Sequence, residues 1–135
     1  MWRTLASIAA GLVAWAIIVT VLNLGLRATI PTYHAAEATL QFTLAMKIGR
    51  LAEAALTSIV AGAVVGFVAP SNKWAAWVVG LIILIMFLPV HVSLWNKFPA
   101  WYHLAFLVPL APLVACGGLL ARGTRAADPR AIVRN

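Results

Sequence analysis

Few residues in this chain are able to do chemistry, and most of those gather toward one end of the apolar runs that hold them. Glu53 stands inside such a run, past Lys47, and so lies roughly 9 Å into a membrane by helix rise. An ionisable side chain at that depth is expensive, which makes it a functional candidate. Arg50 precedes it by one helical turn on the same face. Two readings follow: a local Arg50–Glu53 ion pair that only neutralises charge, or a group that handles a proton or a cation. Asn23, His91 and His103 fall toward the same side of their own runs, as do Arg27, His34, Glu37 and Lys47. Glu53, Arg50, His91, His103 and Asn23 are the candidate polar cluster.

No other constellation names a reaction. A membrane haem needs two axial ligands on facing helices, whereas His91 and His103 flank a short turn near one surface, a position that suits interfacial imidazoles. A zinc site from these histidines and Glu53 lacks any HExxH-like spacing. There is no GxSxG elbow, P-loop or dinucleotide fingerprint. Ser7, Ser58 and Ser93 stand alone on apolar helices, where a hydroxyl bonds to its own backbone. Cys116 is the single cysteine, so disulfide and CxxC redox chemistry is excluded, and it reads as a buried, inert thiol. The sequence therefore assigns no catalytic residue, no cofactor and no metal.

The elements that must position the cluster are set by composition. The chain has 135 residues, 10% of them charged, against about 25% in soluble domains. Its mean hydropathy is +0.98. A water-soluble fold of this size has no interior large enough for that much apolar surface. Four runs, at about 4–26, 46–69, 74–94 and 101–121, approach the roughly 20 apolar residues that span a hydrocarbon core. Unpaired backbone is not tolerated there, so each run must be a helix. The expected fold is an all-α membrane protein, four transmembrane helices in one antiparallel bundle, with a short basic cytoplasmic tail at 122–135. The run at 5–22 exceeds the roughly 7–15 residues of a signal h-region and reads as an uncleaved span.

The connections differ in length. Pro70, Ser71, Asn72 and Lys73 make a tight turn, and Lys97 and Pro99 lie in another. Only 27–45 is long enough for structure of its own; Pro31 opens it, and 33–45 is expected to lie helical at the interface or to extend the second span. The net charge of +7 comes from basic residues set singly at the ends of apolar runs. That placement favours lipid headgroups, with anionic ones at the tail, over nucleic acid. Arg3, Lys73, Arg122, Arg125, Arg130 and Arg134 on one side outnumber Arg27, Lys47, Arg50 and Lys97 on the other, which predicts an N-in, C-in orientation. Trp2, Trp74 and Trp77 would then mark the inner interface, and Tyr33, Trp95, Trp101 and Tyr102 the outer one.

Lipid gives helices no hydrophobic reason to associate, so close backbone approach must do so. Ala54, Ser58, Gly62 and Gly66 form a small-residue stripe on the second span, with Ser7 and Gly11 of the first as its expected partner surface. The stripe serves internal packing or a homodimer. Pro89, Pro109 and Pro112 each remove an N–H and should loosen the preceding turn.

The block Phe98-Pro99-Ala100-Trp101-Tyr102-His103-Leu104, with Gly117-Gly118-Leu119-Leu120-Ala121-Arg122 and the Val68-Ala69-Pro70 turn, resembles uncharacterised small four-helix bacterial inner-membrane proteins. That resemblance implies a bacterial inner-membrane location and carries no functional residue over. Small multidrug exporters share the helix count but keep their acid in the first helix, which here has none. The leading expectation is an accessory or structural subunit that meets a membrane-protein partner or a second copy. The alternative is a small oligomeric transporter or channel that uses Glu53 in a polar outer-side cavity.

Overall fold

The computed structural model describes residues 1–126, so the part of the basic tail holding Arg130 and Arg134 lies outside the described residues. Those residues form five helices and no strand: α1 (Trp2–Thr29), α2 (Tyr33–Thr39), α3 (Leu44–Val68), α4 (Ala75–Ser93) and α5 (Ala100–Ala126). All but α2 are long and apolar enough to cross a membrane. Within lipid a helix is the one local structure that pairs its own backbone, and α4 and α5 therefore run on through Pro89, Pro109 and Pro112.

Helix ends follow local chemistry. α1 closes where Ile30 donates its N–H to the Leu26 carbonyl and Pro31 bars a further turn. Thr43 caps α3, its Oγ1 accepting from the Met46 N–H at 3.3 Å. Before α4, Asn72 Oδ1 accepts from the Trp74 N–H at 3.0 Å. The Asn72 carbonyl accepts from Arg122 Nη2 at 2.7 Å and its Nδ2 donates to Thr4 Oγ1 at 3.2 Å, so one turn residue joins the ends of α1 and α5. Arg122, expected to open a polar tail, is thus inside a helix and holds the bundle together.

The connection at 27–45 is helical over part of its length and does not continue directly into α3. It makes the short α2, turns at Leu40 in the left-handed region (φ 58°), and enters α3 through an extended stretch. Tyr33, Ala36 and Phe42 from this segment pack with Met46 of α3 and with Phe98 and Tyr102 into an apolar cap at one end of the bundle. The main core lies beyond it and is built from Val65, Val79, Ile83, Leu110 and Val114.

α3 packs against both α1 and α5. Its small-residue stripe faces α5, not α1 as the sequence suggested. A Cβ on Gly62 would collide with the Val114 carbonyl, and one on Gly66 would come within 2.6 Å of the Gly118 carbonyl. Gly117 answers from α5, pressed against the carbonyl of Ile59. Ser7 and Gly11 of α1 are buried, but Gly11 meets Val65 and Ala61, a different face of α3. The serines behave as expected: Ser7, Ser58 and Ser93 donate to the carbonyls of Thr4, Ala54 and Val90 at 2.8, 2.7 and 2.8 Å. Cys116 departs from expectation. It is exposed on the flank of α5, because the inward face there is taken by Gly117 and Gly118.

Candidate functional site

The end of the bundle that carries α2 assembles the polar residues. α2 is short because Pro31 and the left-handed Leu40 bracket it, and this sets Tyr33 and Glu37 one turn apart on a single inward face. Tyr33 is fully buried. Its Oη accepts from Arg50 Nη1 at 2.9 Å, while Tyr102 Oη accepts from Arg50 Nε at 3.3 Å. The guanidinium also lies over the Phe42 ring, 4.9 Å from its centroid. Burial pushes the Tyr33 phenol above its ordinary range even beside this cation, so it stays a neutral acceptor.

Glu37 closes the arrangement from above. Its Oε2 accepts from Arg27 Nε at 2.7 Å, and Oε1 accepts from Asn23 Nδ2 at 3.5 Å and lies 3.6 Å from Arg50 Nη1. One carboxylate therefore serves two guanidiniums. No ion pair forms between Arg50 and Glu53 among the described residues. The local pairing expected from their spacing gives way because α2 and α5 supply Arg50 with acceptors on its other side. Glu53 itself is buried, and its Oε1 has no hydrogen-bond partner.

His91 and His103 turn into the bundle. Both are buried, with Nδ1 to Nδ1 at 2.8 Å, a distance that requires one ring to donate and the other to accept. Trp95 stacks on His103 at 4.7 Å between centroids, and Phe106 lies 4.5 Å from His91. His103 Nε2 is buried without a partner. The turn between α4 and α5 is short enough to fold the two rings onto each other, which a reading of distance along the chain does not reveal. Among the described residues no group of three His, Cys, Asp or Glu side chains gathers to hold a metal.

Two cavities adjoin this cluster and share Arg50, Phe87 and Phe106. One, of about 210 Å³, touches Glu37, Tyr102 and both histidines. The other, of about 370 Å³, is lined by Trp15, Asn23, Arg27 and Glu53. Trp15 adds an indole Nε1 that is buried with no acceptor. Apolar walls with a few convergent polar groups are the common form of a small-molecule site.

The structure thus gathers Asn23, Arg50, Glu53, His91 and His103 around adjoining cavities and adds four residues the sequence left out of the cluster. The sequence presents Glu37 and Arg27 only as polar neighbours. It presents Tyr33 and Tyr102 as interface markers, since an aromatic at a span end looks the same in sequence whether it meets headgroups or folds inward. Trp2, Trp74, Trp95 and Trp101, by contrast, are exposed. Four helices of this length and apolarity are those of a small multi-pass membrane protein. No protein-family model matches the sequence, and comparison with curated proteins and with solved structures finds no significant relative.

Proposed function

We propose that this protein is a small bacterial inner-membrane carrier of the transporter class, an antiparallel four-span bundle with both ends cytoplasmic, in which Glu53 takes up and releases a proton beside a ligand cavity. One observation carries this reading: a buried carboxyl oxygen without a partner, on the wall of a cavity of about 370 Å³. A buried acceptor left unmet costs free energy that a proton, a cation or a ligand donor recovers. Infrared pH titration of the protein in lipid tests the reading. A pH-dependent carboxyl band should be present in the wild type and in Glu37→Gln, and be missing from Glu53→Gln. A wild type without that band defeats it.

An accessory-subunit role has its own support in α1, whose buried residues are only Ser7 and Gly11, leaving a long flank for lipid, a partner helix or a second copy. Under that reading Glu53→Gln changes nothing. Replacing 33–45 by a Gly/Ser linker would instead break a complex isolated in mild detergent.

A further inference from the structure

The charges around the larger cavity point to a ligand class, an inference that rests on the reading of Glu53 above. Arg27 and Arg50 share the single carboxylate of Glu37. The other contacts of Arg50 are neutral: two phenol oxygens and the face of Phe42. They hold the guanidinium in place and leave its charge unspent. With Glu53 protonated, the cluster carries one positive charge in excess, and a lone cation at membrane depth is costly. Trp15 offers a buried indole N–H with no acceptor on the same wall, and Asn23 a second N–H donor. The rest of the wall is formed by Val19, Leu24, Ala54, Phe87 and Phe106, with Thr20, whose hydroxyl donates to the Ala16 carbonyl of its own helix.

We propose that this cavity binds an amphiphile with an anionic head, the head on Arg50, Arg27 and the Trp15 N–H and the tail along the apolar wall, together with a proton on Glu53. Cation binding is opposed by two guanidiniums on the cavity wall, since like charges brought together repel. Coupling follows from charge alone. Ionised Glu53 repels the anion, whereas protonated Glu53 removes the repulsion and adds a donor. The head could belong to an anionic lipid or to a free alkyl anion, and the shared chemistry is an oxyanion on an alkyl chain.

The test uses the full chain in nanodiscs of phosphatidylcholine and a decyl sulfonate brominated on the carbons beside its head, whose charge does not change with pH and whose bromine, held close to the Trp15 indole, quenches its fluorescence. Saturable quenching is expected in the wild type and should be lost in Trp15→Phe. Affinity should fall roughly tenfold or more in Arg50→Gln. Arg27→Gln should weaken it in the same direction, and its half-exposed side chain keeps the test open if Arg50→Gln fails to fold. Wild-type binding should tighten as the pH falls, and Glu53→Gln should bind tightly across the same range.

Other titratable groups face Glu53 and its neighbours: Glu37 and Tyr33 from α2, His91 from α4, and Tyr102 and His103 from α5. To keep the effect with Glu53, the pH dependence must survive in His91→Gln. Adding phosphatidylglycerol separates the two sources: competition assigns the head to a lipid, and its absence assigns it to a free alkyl anion. Equal binding of the matching trimethylammonium, unchanged affinity in both arginine variants, or a wild type indifferent to pH overturns the proposal. If the sulfonate does not bind while the Glu53 carboxyl still titrates, the anion site falls and the proton-linked reading stands.

Discussion

Tyr33 Oη and Tyr102 Oη take the donors of Arg50 at 2.9 and 3.3 Å, where a carboxylate would have bound more tightly and cancelled the charge. A hydrogen bond to a charged group is worth about 1.5–3 kcal/mol, and removing Tyr33 Oη leaves Arg50 Nη1 with only the longer contact to Glu37. Tyr33→Phe should therefore lower stability by about 2 kcal/mol, read by thermal unfolding in mild detergent. It should also change the alkaline limb. Burial raises the Tyr33 phenol above its ordinary 10.0, so the unfolded chain ionises first as pH rises. The stability from this group is complete below about pH 10 and is lost as pH climbs through the folded value. In Tyr33→Phe that part of the loss should be absent. Nothing in the sequence distinguished these phenols from belt aromatics, and the i, i+3 spacing of Arg50 and Glu53 argued for a pairing that acceptors from distant segments displaced. Glu53 was legible as a candidate, because an acid inside an apolar run is costly wherever its neighbours lie.

Between elements, the contact of α3 with α5 depends on backbone approach at Gly62, Gly66 and Gly117, where a single Cβ meets a carbonyl. Overpacking of that kind costs roughly 1–3 kcal/mol, so Gly62→Ala should destabilise the bundle by about that much. Gly25 has nothing within 4 Å of its built Cβ. Gly25→Ala should be neutral, or stabilising by up to about 1 kcal/mol from helix propensity. A homodimer built on the stripe would instead show Gly62→Ala changing oligomeric state with unfolding unmoved. The stripe was readable from its four-residue spacing, but the partner was not. α1 and α5 both carry small residues, and only the fold shows that Gly117 and Gly118 reach α3 at its stripe while Gly11 meets it at Val65. The Pro31 break was readable too, whereas the turn at Leu40 was not, since leucine gives no sign of a left-handed backbone.

For the whole molecule, the four spans were visible because hydrocarbon admits so few backbone structures. Orientation is a separate matter, decided by where basic residues are left behind during insertion. The turn holding Lys73 and the ends carrying Arg3 and Arg122 are expected inside, and the turn holding Lys97 outside. In that orientation the Arg50 cluster and its cavities would lie toward the outer surface, and a proton would enter from the acidic side of an energised membrane. Single cysteines introduced in a Cys116→Ser background decide the point, the native thiol being removed because it is exposed on α5. An impermeant maleimide applied to intact cells should label Lys97→Cys and leave Ser71→Cys unlabelled until the membrane is opened. The reverse pattern would put the cluster on the cytoplasmic side. A carrier would then have to load its proton against the gradient, and the proton-linked reading of Glu53 would lose its driving force.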